Sequence, residues 1–255
     1  MRTWRPFATM AGATLLGAAG APAGAVLVDV QITGHVEDYF AGNPDMGLDV
    51  TGVFGPAGGR INGDAYSALI RYDTALAPPD SSTSPAVGRY DHEYYQDGNW
   101  SFLSISVTIN GHTETVDGAT NYQLALVDPP GSPLYFAVSN HTHDSSVGTP
   151  YDESFIDFTF NALPGATVVG STALPTTANV AGISNRVGKV GDLDLARGVY
   201  GTPNTVTAQL LAYLDLDAVA SWAPASPVPE PAGRSLWLAG AAALAAWCTR
   251  RRFSG

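Results

Sequence analysis

Two pairs of aspartates are the residues whose type and spacing best suit metal chemistry. Asp192 and Asp194 flank one leucine, and Asp215 and Asp217 flank another. Alternate residues of an extended segment point the same way, so each pair presents two carboxylates on one face. If the two segments were adjacent, the four carboxylates would converge and could bind Ca²⁺, which takes about six to eight oxygen ligands. The alternative, favoured by ordinary strand alternation, is an amphipathic strand with leucines inward and aspartates outward.

A pair of histidines is a weaker metal candidate. His141 and His143 lie two positions apart, a spacing that can chelate a metal from a strand, and Asp144 or the acids Asp152 and Glu153 could complete the site. A catalytic zinc site needs a third ligand and a supporting outer shell, and no His-Glu-x-x-His helix is present. A solvated loop is the favoured interpretation, because polar residues cluster in loops.

An aromatic stretch from 90 to 100 is the best candidate for a sugar-binding surface. It contains Tyr94, Tyr95 and Trp100 among several carboxylates. Aromatic faces pack against the apolar faces of sugars, and neighbouring carboxylates accept hydrogen bonds from hydroxyl groups. The alternative is a strand edge whose aromatic side chains complete the core, since large aromatic residues are usually buried.

Signatures of nucleophilic and phosphate chemistry are absent from the sequence. It has no Gly-x-Ser-x-Gly turn, no phosphate-binding loop and no dinucleotide fingerprint. A carboxylate pair for glycoside hydrolysis stays open, because the separation of such a pair is a property of the folded chain. We therefore expect a protein that is not an enzyme and has no resident cofactor, with Ca²⁺ as the alternative.

The middle of the chain predicts an all-β domain, which must position these groups. Apolar and polar residues alternate there, as at 103–109, where every second residue is apolar. Asn110 and Gly111 predict a type I′ hairpin turn into a polar strand at 112–116. Further strands are predicted at 28–32, 66–72, 122–127, 134–139, 154–160 and 205–213. Strands at this spacing favour a single jelly-roll-like β-sandwich over residues 26–222.

Charge divides the chain into three parts. The 255 residues carry a net charge of −11 and one cysteine, Cys248. Residues 26–227 hold 22 acidic and six basic side chains, a net charge of −16, whereas both ends of the chain are basic. Nucleic acid is excluded as a partner, because no basic surface is available to neutralise a phosphate backbone. A lone cysteine excludes an intrachain disulfide and a cysteine zinc site.

The first 25 residues have the layout of a secretory signal peptide. Arg2 and Arg5 precede an uncharged apolar stretch at 7–20, and small residues follow up to Ala25. We expect cleavage by signal peptidase after Ala23 or Ala25. The alternative is a permanent membrane helix, but the apolar run is shorter than the roughly 20 residues needed to span a bilayer.

The last residues predict a transmembrane segment that follows a proline-rich linker at 223–231. Residues 232–249 have one charge, Arg234, and precede Arg250, Arg251 and Arg252. As a helix these residues are about 27 Å long, close to the roughly 30 Å of a bilayer's hydrocarbon core. The three terminal arginines favour the cytoplasmic side, so the acidic domain lies across the membrane. The signal peptide requires the same orientation.

This tail resembles a known sorting signal. Val228, Pro229, Glu230 and Pro231, followed by a short apolar helix and the arginines at 250–252, are similar to the PEP-CTERM signal of Gram-negative bacteria. The resemblance implies recognition by a membrane-embedded exosortase, which cuts near Pro-Glu-Pro, and a host that secretes an exopolysaccharide. The alternative is a C-terminal anchor, residues 232–255, that is never cut.

These features predict a protein exported across the inner membrane, held transiently by a single membrane span, and finally located at the cell surface or outside the cell. Its expected role in the surface or extracellular matrix is structural or interactive, without catalysis. The alternative is a binding module for Ca²⁺ or exopolysaccharide, and a secreted hydrolase is the third hypothesis.

Overall fold

A computed structural model of the chain describes residues 26–37, 45–93, 101–117, 122–127, 134–141, 148, 150–184, 190–199 and 205–226. This part is all-β, with antiparallel pairing between its strands and a single turn of 3₁₀ helix at Val180–Gly182. The signal segment 1–25, the sorting motif 228–231 and the tail 232–255 lie outside the described residues. None of the described helices is long and apolar enough to span a membrane.

Fourteen strands lie within the described residues. They are β1 Leu27–Glu37, β2 Leu48–Asp49, β3 Gly59–Arg60, β4 Ala65–Asp73, β5 Gly88–Glu93, β6 Leu103–Ile109, β7 His112–Val116, β8 Tyr122–Val127, β9 Leu134–His141, β10 Pro150–Ala162, β11 Ile183–Ser184, β12 Gly191–Val199, β13 Thr205–Leu214 and β14 Ala218–Pro224. Strand β14 takes in Ala223 and Pro224, which the sequence assigned to the linker, because both residues pair with β1.

Strand β1 joins two parts of one large antiparallel sheet. Along one edge β1 pairs with β4, and along the other it pairs first with β14 and then, at Val36 and Glu37, with β13. We call β14, β1, β4, β6 and β7 half A. We call β5, β8, β9, β10, β12 and β13 half B. Strand β1 is therefore the element through which the hydrogen bonding of both halves is continuous.

The alternation in the sequence explains the core. In β1 the side chains of Val28, Val30 and Ile32 are buried while their neighbours face outward, because successive residues of a strand point to opposite faces. The same pattern runs through β4, β6, β10, β12 and β13, and the buried residues of both halves form one hydrophobic cluster. One core shared by two halves places each half's other face toward solvent.

Aromatic rings connect the halves within this core. Phe158 of β10 lies 6.2 Å from Tyr66 of β4, measured between ring centroids. Phe160, also on β10, meets Trp222 of β14 edge to face at 5.7 Å. Such ring pairs stabilise a core beyond their buried area. Since β10 belongs to half B and both partners belong to half A, these contacts fix how the halves pack.

A buried amide adds a polar contact between the halves. Gln123 of β8 is completely buried. Its side-chain oxygen accepts a hydrogen bond from the backbone N–H of Phe102 at 3.1 Å, and its nitrogen donates to the carbonyl of Leu103 at 2.7 Å and the hydroxyl of Ser101 at 2.9 Å. Burial of an amide is tolerated only when its polar atoms are paired in this way.

Gly34 lets β1 and β4 pack closely beneath a tyrosine ring. A Cβ atom at Gly34 would lie 2.6 Å from Tyr66 Cε1 and 1.9 Å from the carbonyl oxygen of Asp215. The Tyr66 hydroxyl donates a hydrogen bond of 2.7 Å to the same carbonyl. Burial raises the pKa of this hydroxyl, with the carboxylates of Asp215 and Asp217 adding to the rise, so it remains a donor.

The turn between β6 and β7 confirms the hairpin prediction. Asn110 has a φ of 54° and Gly111 a φ of 79°, the two positive values that a type I′ turn requires. Beyond the turn, the hydroxyl groups of Thr108 and Thr113 lie 2.7 Å apart across the strands.

Replacing Gly111 with alanine should destabilise the domain by about 1 kcal/mol, because an L-residue with a side chain is strained at this φ. Urea unfolding followed by tryptophan fluorescence measures the loss. Gly170→Ala is the matched control, since that glycine has no positive φ and nothing lies within 4 Å of an added Cβ. Equal effects of the two substitutions would contradict the turn assignment.

Candidate functional site

The first aspartate pair lies on the outer face of half B. Asp192 and Asp194 are half-buried on β12, whereas Leu193 and Leu195 between and beyond them point into the core. This is the arrangement of an amphipathic strand. It presents two carboxylates on one face, as the sequence indicated.

The second aspartate pair lies elsewhere, between β13 and β14. Asp217 Oδ2 lies 2.9 Å from His35 Nδ1, and Asp215 Oδ1 accepts the backbone N–H of Leu216 at 2.8 Å. Both aspartates also donate their backbone N–H groups to β1 carbonyls. The structure does not bring the two pairs together. No group of three or more His, Cys, Asp or Glu side chains among the described residues is arranged to hold a metal ion.

Other candidates lie at or beyond the limits of the described residues. Tyr94, Tyr95 and Trp100 are outside them, as are His143 and Asp144. The backbone of His141 ends β9 and pairs with that of Glu153 on β10.

Asp192 and Asp194 border a cavity of about 230 Å³ on the outer face of half B. Strand register places Phe155 of β10 and Leu211 of β13 on either side of Asp194. Tyr213 of β13 is paired with Asp192 in the same way. We call these residues, with Met46, the acidic-aromatic cavity. Its aromatic side chains, Phe155 and Tyr213, are both half-buried.

Backbone pairing fixes the walls of this cavity. Strands β10, β12 and β13 are consecutive antiparallel neighbours over eight or more residue pairs at each interface. The segment before β2 closes the far side, where Met46 bridges to Leu211 and Gly47 donates a 2.7 Å hydrogen bond to the Leu211 carbonyl. The cavity is thus built on paired strands, which hold side chains more firmly than loops do.

The electrostatics of the cavity centre on Asp194. Burial raises the pKa of this carboxyl, and the neighbouring carboxylates of Glu153 and Asp192 raise it further, while a hydrogen bond from Gln209 opposes the rise. Its Oδ1 atom is buried and has no hydrogen-bond partner among the described residues. Asp157 on the adjacent strand is also buried, and its Oδ1 accepts the backbone N–H of Asp192 at 2.6 Å.

This arrangement suits the binding of a polyhydroxylated ligand. Phe155 and Tyr213 offer apolar faces to a sugar ring, and the carboxylate of Asp192 accepts hydrogen bonds from hydroxyl groups. The sequence interpretation missed both aromatic residues. A signal was present, because Phe155 is out of phase with the apolar residues 156, 158 and 160, and Tyr213 is out of phase with 210, 212 and 214. Alternation therefore places both rings on the outer face.

The fold and this cavity define a class: an acidic, all-β antiparallel domain with a carboxylate- and aromatic-lined surface cavity. Comparison of the chain with protein-family models, with curated proteins and with solved structures finds no match.

Replacing Asp194 with asparagine should change the pH dependence of stability. The raised pKa means that the native state binds the proton more tightly than the unfolded chain, so the free energy of unfolding falls as pH rises from the ordinary value of 3.8 through the raised one. Asparagine removes this loss. The variant should therefore match the parent in acid and become relatively more stable toward neutral pH.

Urea unfolding at a series of pH values measures this difference. A stability difference between Asp194→Asn and the parent that stays constant from acid to neutral pH would contradict the burial of the Asp194 carboxyl.

Proposed function

We propose that this chain is an exported cell-surface or extracellular-matrix protein, delivered by a signal peptide and an exosortase, with a structural or interactive role and no catalysis. The observation that carries the proposal is the sequence of three features in the tail: Val228-Pro229-Glu230-Pro231, then an apolar stretch, then Arg250-Arg251-Arg252. The signal-like residues 1–25 and the terminal arginines require the same orientation across the membrane.

The two ends of the domain lie close together, which supports a precursor with a membrane-directed segment at each end. Val26 donates its backbone N–H to the Thr74 hydroxyl at 2.9 Å, and Ala225 donates to the carbonyl of Leu27 at 2.8 Å. The two ends of the described domain therefore lie side by side on neighbouring strands. A precursor with a signal segment before Val26 and a membrane segment after Ser226 would have both on the same side of the domain.

The composition of the domain fits a location outside the cell. Residues 26–227 contain no cysteine, and one hydrophobic cluster spans both halves of the sheet. A chain of about 200 residues buries enough surface to fold without disulfides. The net charge of −16 favours solubility and attracts counter-ions.

We also propose that halves A and B form the two layers of a β-sandwich. Support comes from their shared core and from the ring contacts of Phe158 and Phe160 with half A. Within half B, strands β8, β9 and β10 and then β12 and β13 are neighbours in chain order. Their path is a meander, which is simpler than the jelly-roll-like connection expected from the sequence.

Processing can be tested on the protein expressed in a bacterium that has an exosortase. Intact-mass measurement should find a mature species that begins after Ala23 or Ala25 and ends near the Pro-Glu-Pro motif. Alanine substitution of Pro229, Glu230 and Pro231 together should leave the tail attached and the protein in the membrane fraction. Pro227→Ala, in the same linker but outside the motif, is the matched control. A mature parent protein that retains residues 232–255 would overturn the sorting proposal.

A second candidate function is binding of exopolysaccharide in the acidic-aromatic cavity. It is favoured by one observation, the placement of Phe155 and Tyr213 beside Asp192 around a cavity on paired strands. The Ca²⁺ and hydrolase alternatives have no such support among the described residues, and the proposal does not extend to them.

Replacing Tyr213 with alanine should weaken this binding about fivefold or more, because removing one stacked ring costs about 1 kcal/mol or more. Isothermal titration calorimetry with the host's purified exopolysaccharide provides the measurement. Tyr90→Phe is a control at a tyrosine of β5 that does not line the cavity, and it removes the hydroxyl that donates to the carbonyl of Thr172 at 3.1 Å. Unchanged affinity in Tyr213→Ala would rule the cavity out as the binding site.

A further inference from the structure

The outer face of half A has a second, larger concavity that differs from the acidic-aromatic cavity in its chemistry. It measures about 510 Å³ and crosses β14, β1, β4, β6 and β7. Two rows of side chains run across the strands and face outward. One row, in register, is Thr33, Ser67, Thr108 and Thr113. The other is Gln31, Leu69, Ser106 and Thr115. We call these two rows, together with Ala220, the hydroxyl trough.

The trough is uncharged in a strongly acidic domain. None of the residues that line it carries a formal charge, whereas residues 26–227 have a net charge of −16. The charges begin on its two long sides, one step further along the strands. On one side Arg71 binds Asp29 through two hydrogen bonds of 2.7 and 2.8 Å, and on the other His35 lies against Asp217. The trough therefore has no charged side chain that a ligand would need to neutralise, and a neutral ligand is complementary to it.

The hydroxyl groups of the trough are already aligned across the strands. The Ser106 and Thr115 oxygens lie 2.8 Å apart, and those of Thr108 and Thr113 lie 2.7 Å apart, with either partner able to donate. Each hydroxyl keeps acceptor or donor capacity for a ligand, and the amide of Gln31 offers both. Because these side chains stand on paired strands, ordering them for binding costs little conformational entropy.

The shape of the trough suits an extended chain that crosses the strands. Five neighbouring strands at about 4.8 Å spacing give a length of roughly 19 Å. The register of β14 against β1 shifts between Gln31 and Ile32, at the point where Ala220 lines the trough. Such a shift bends a strand and increases the local twist, which deepens a sheet face.

We propose that the hydroxyl trough binds an extended segment of a neutral polysaccharide. Polymer hydroxyl groups are both donors and acceptors, as are the Ser, Thr and Gln side chains, so every contact can be satisfied without charge. Leu69 and Ala220 supply apolar contact for the C–H faces of the sugar rings.

Other partners fit this surface less well. A nucleic acid would be repelled by the acidic domain. A second copy packed face to face needs apolar side chains between the sheets, and Leu69 is the only large one in the two rows. An extended peptide binds by pairing with a free strand edge, which the middle of a face does not offer.

This site is distinct from the acidic-aromatic cavity, which lies on half B, and it does not depend on how the protein is sorted. A failure of one proposal is therefore distinguishable from a failure of the other. The experiment uses the full chain in a nonionic detergent without sugar headgroups, because a maltoside or glucoside would compete for the trough.

Affinity gel electrophoresis measures binding as the ratio of mobilities with and without polymer in the gel. The gels contain hydroxyethyl cellulose, dextran or laminarin as neutral polymers, and alginate as the anionic one. We expect retardation by at least one neutral polymer and none by alginate. Absence of retardation by all three neutral polymers would overturn the proposal, whatever the variants show.

Variants locate the site. Thr108→Glu and Thr33→Glu each place a carboxylate in the trough from a different strand. Each should weaken the affinity for the polymer, obtained from mobility at a series of polymer concentrations, at least tenfold. Thr207→Glu makes the same change at an exposed threonine of β13 on half B and should bind as the parent does. Tyr213→Ala should also leave this binding unchanged. Parent-like binding by both trough variants, or loss of binding in Tyr213→Ala, would assign the polymer to another surface.

Discussion

Hydrogen bonding along both edges of β1 is the interaction on which the rest of the structure depends. One edge pairs with β4 from Leu27 to His35. The other is occupied in turn by Ala225, β14, the backbone N–H groups of Asp217 and Asp215, and finally β13. Both edges of β1 are therefore hydrogen-bonded. Most of the strand pairs within half A, and its last two residues pair with β13 of half B. The hydroxyl trough contains β1 side chains directly, and the acidic-aromatic cavity is connected to β1 through the pairing of Glu37 with Tyr213.

The outer faces of halves A and B can differ in chemistry because the inner, apolar faces alone form the core. Apolar side chains from both halves form one cluster, and two polar contacts are buried with it. Gln123 is satisfied by three hydrogen bonds, and the indole of Trp222 donates to the Tyr72 hydroxyl at 2.8 Å. Since this core has no disulfide, packing and the hydrogen bonds of Gln123 hold the halves together, while the contact between Trp222 and Tyr72 joins β14 to β4 within half A. The outward positions then differ, with carboxylates and aromatic rings around the cavity on half B and uncharged side chains in the hydroxyl trough on half A.

Local pattern predicted much of this fold, and register accounts for what it missed. Alternation over a few residues was enough for β6, and Asn110 with Gly111 was enough for its turn, because both depend on near neighbours. Local pattern did not predict strand β14, because its alanines and serine give weak alternation and its pairing partner lies almost 200 residues earlier. Both surface sites depend on register between distant strands. Phe155 meets Asp194, and Thr33 meets Thr108 through Ser67, only after the sheet has formed.

The side-by-side position of Val26 and Ala225 has a mechanical consequence. Antiparallel pairing of β14 with β1 runs from Pro224 opposite Val28 to Ala218 opposite Thr33, and the chain leaves at the Pro224 end. Under the proposed binding of a polymer in the trough, a pull on the tail acts along the axis of β14. The hydrogen bonds between β14 and β1 would then be loaded in shear, all at once, instead of being peeled apart one by one. Bonds loaded in shear must break together, so β14 resists a pull on this end of the chain more strongly than a strand that can be peeled away.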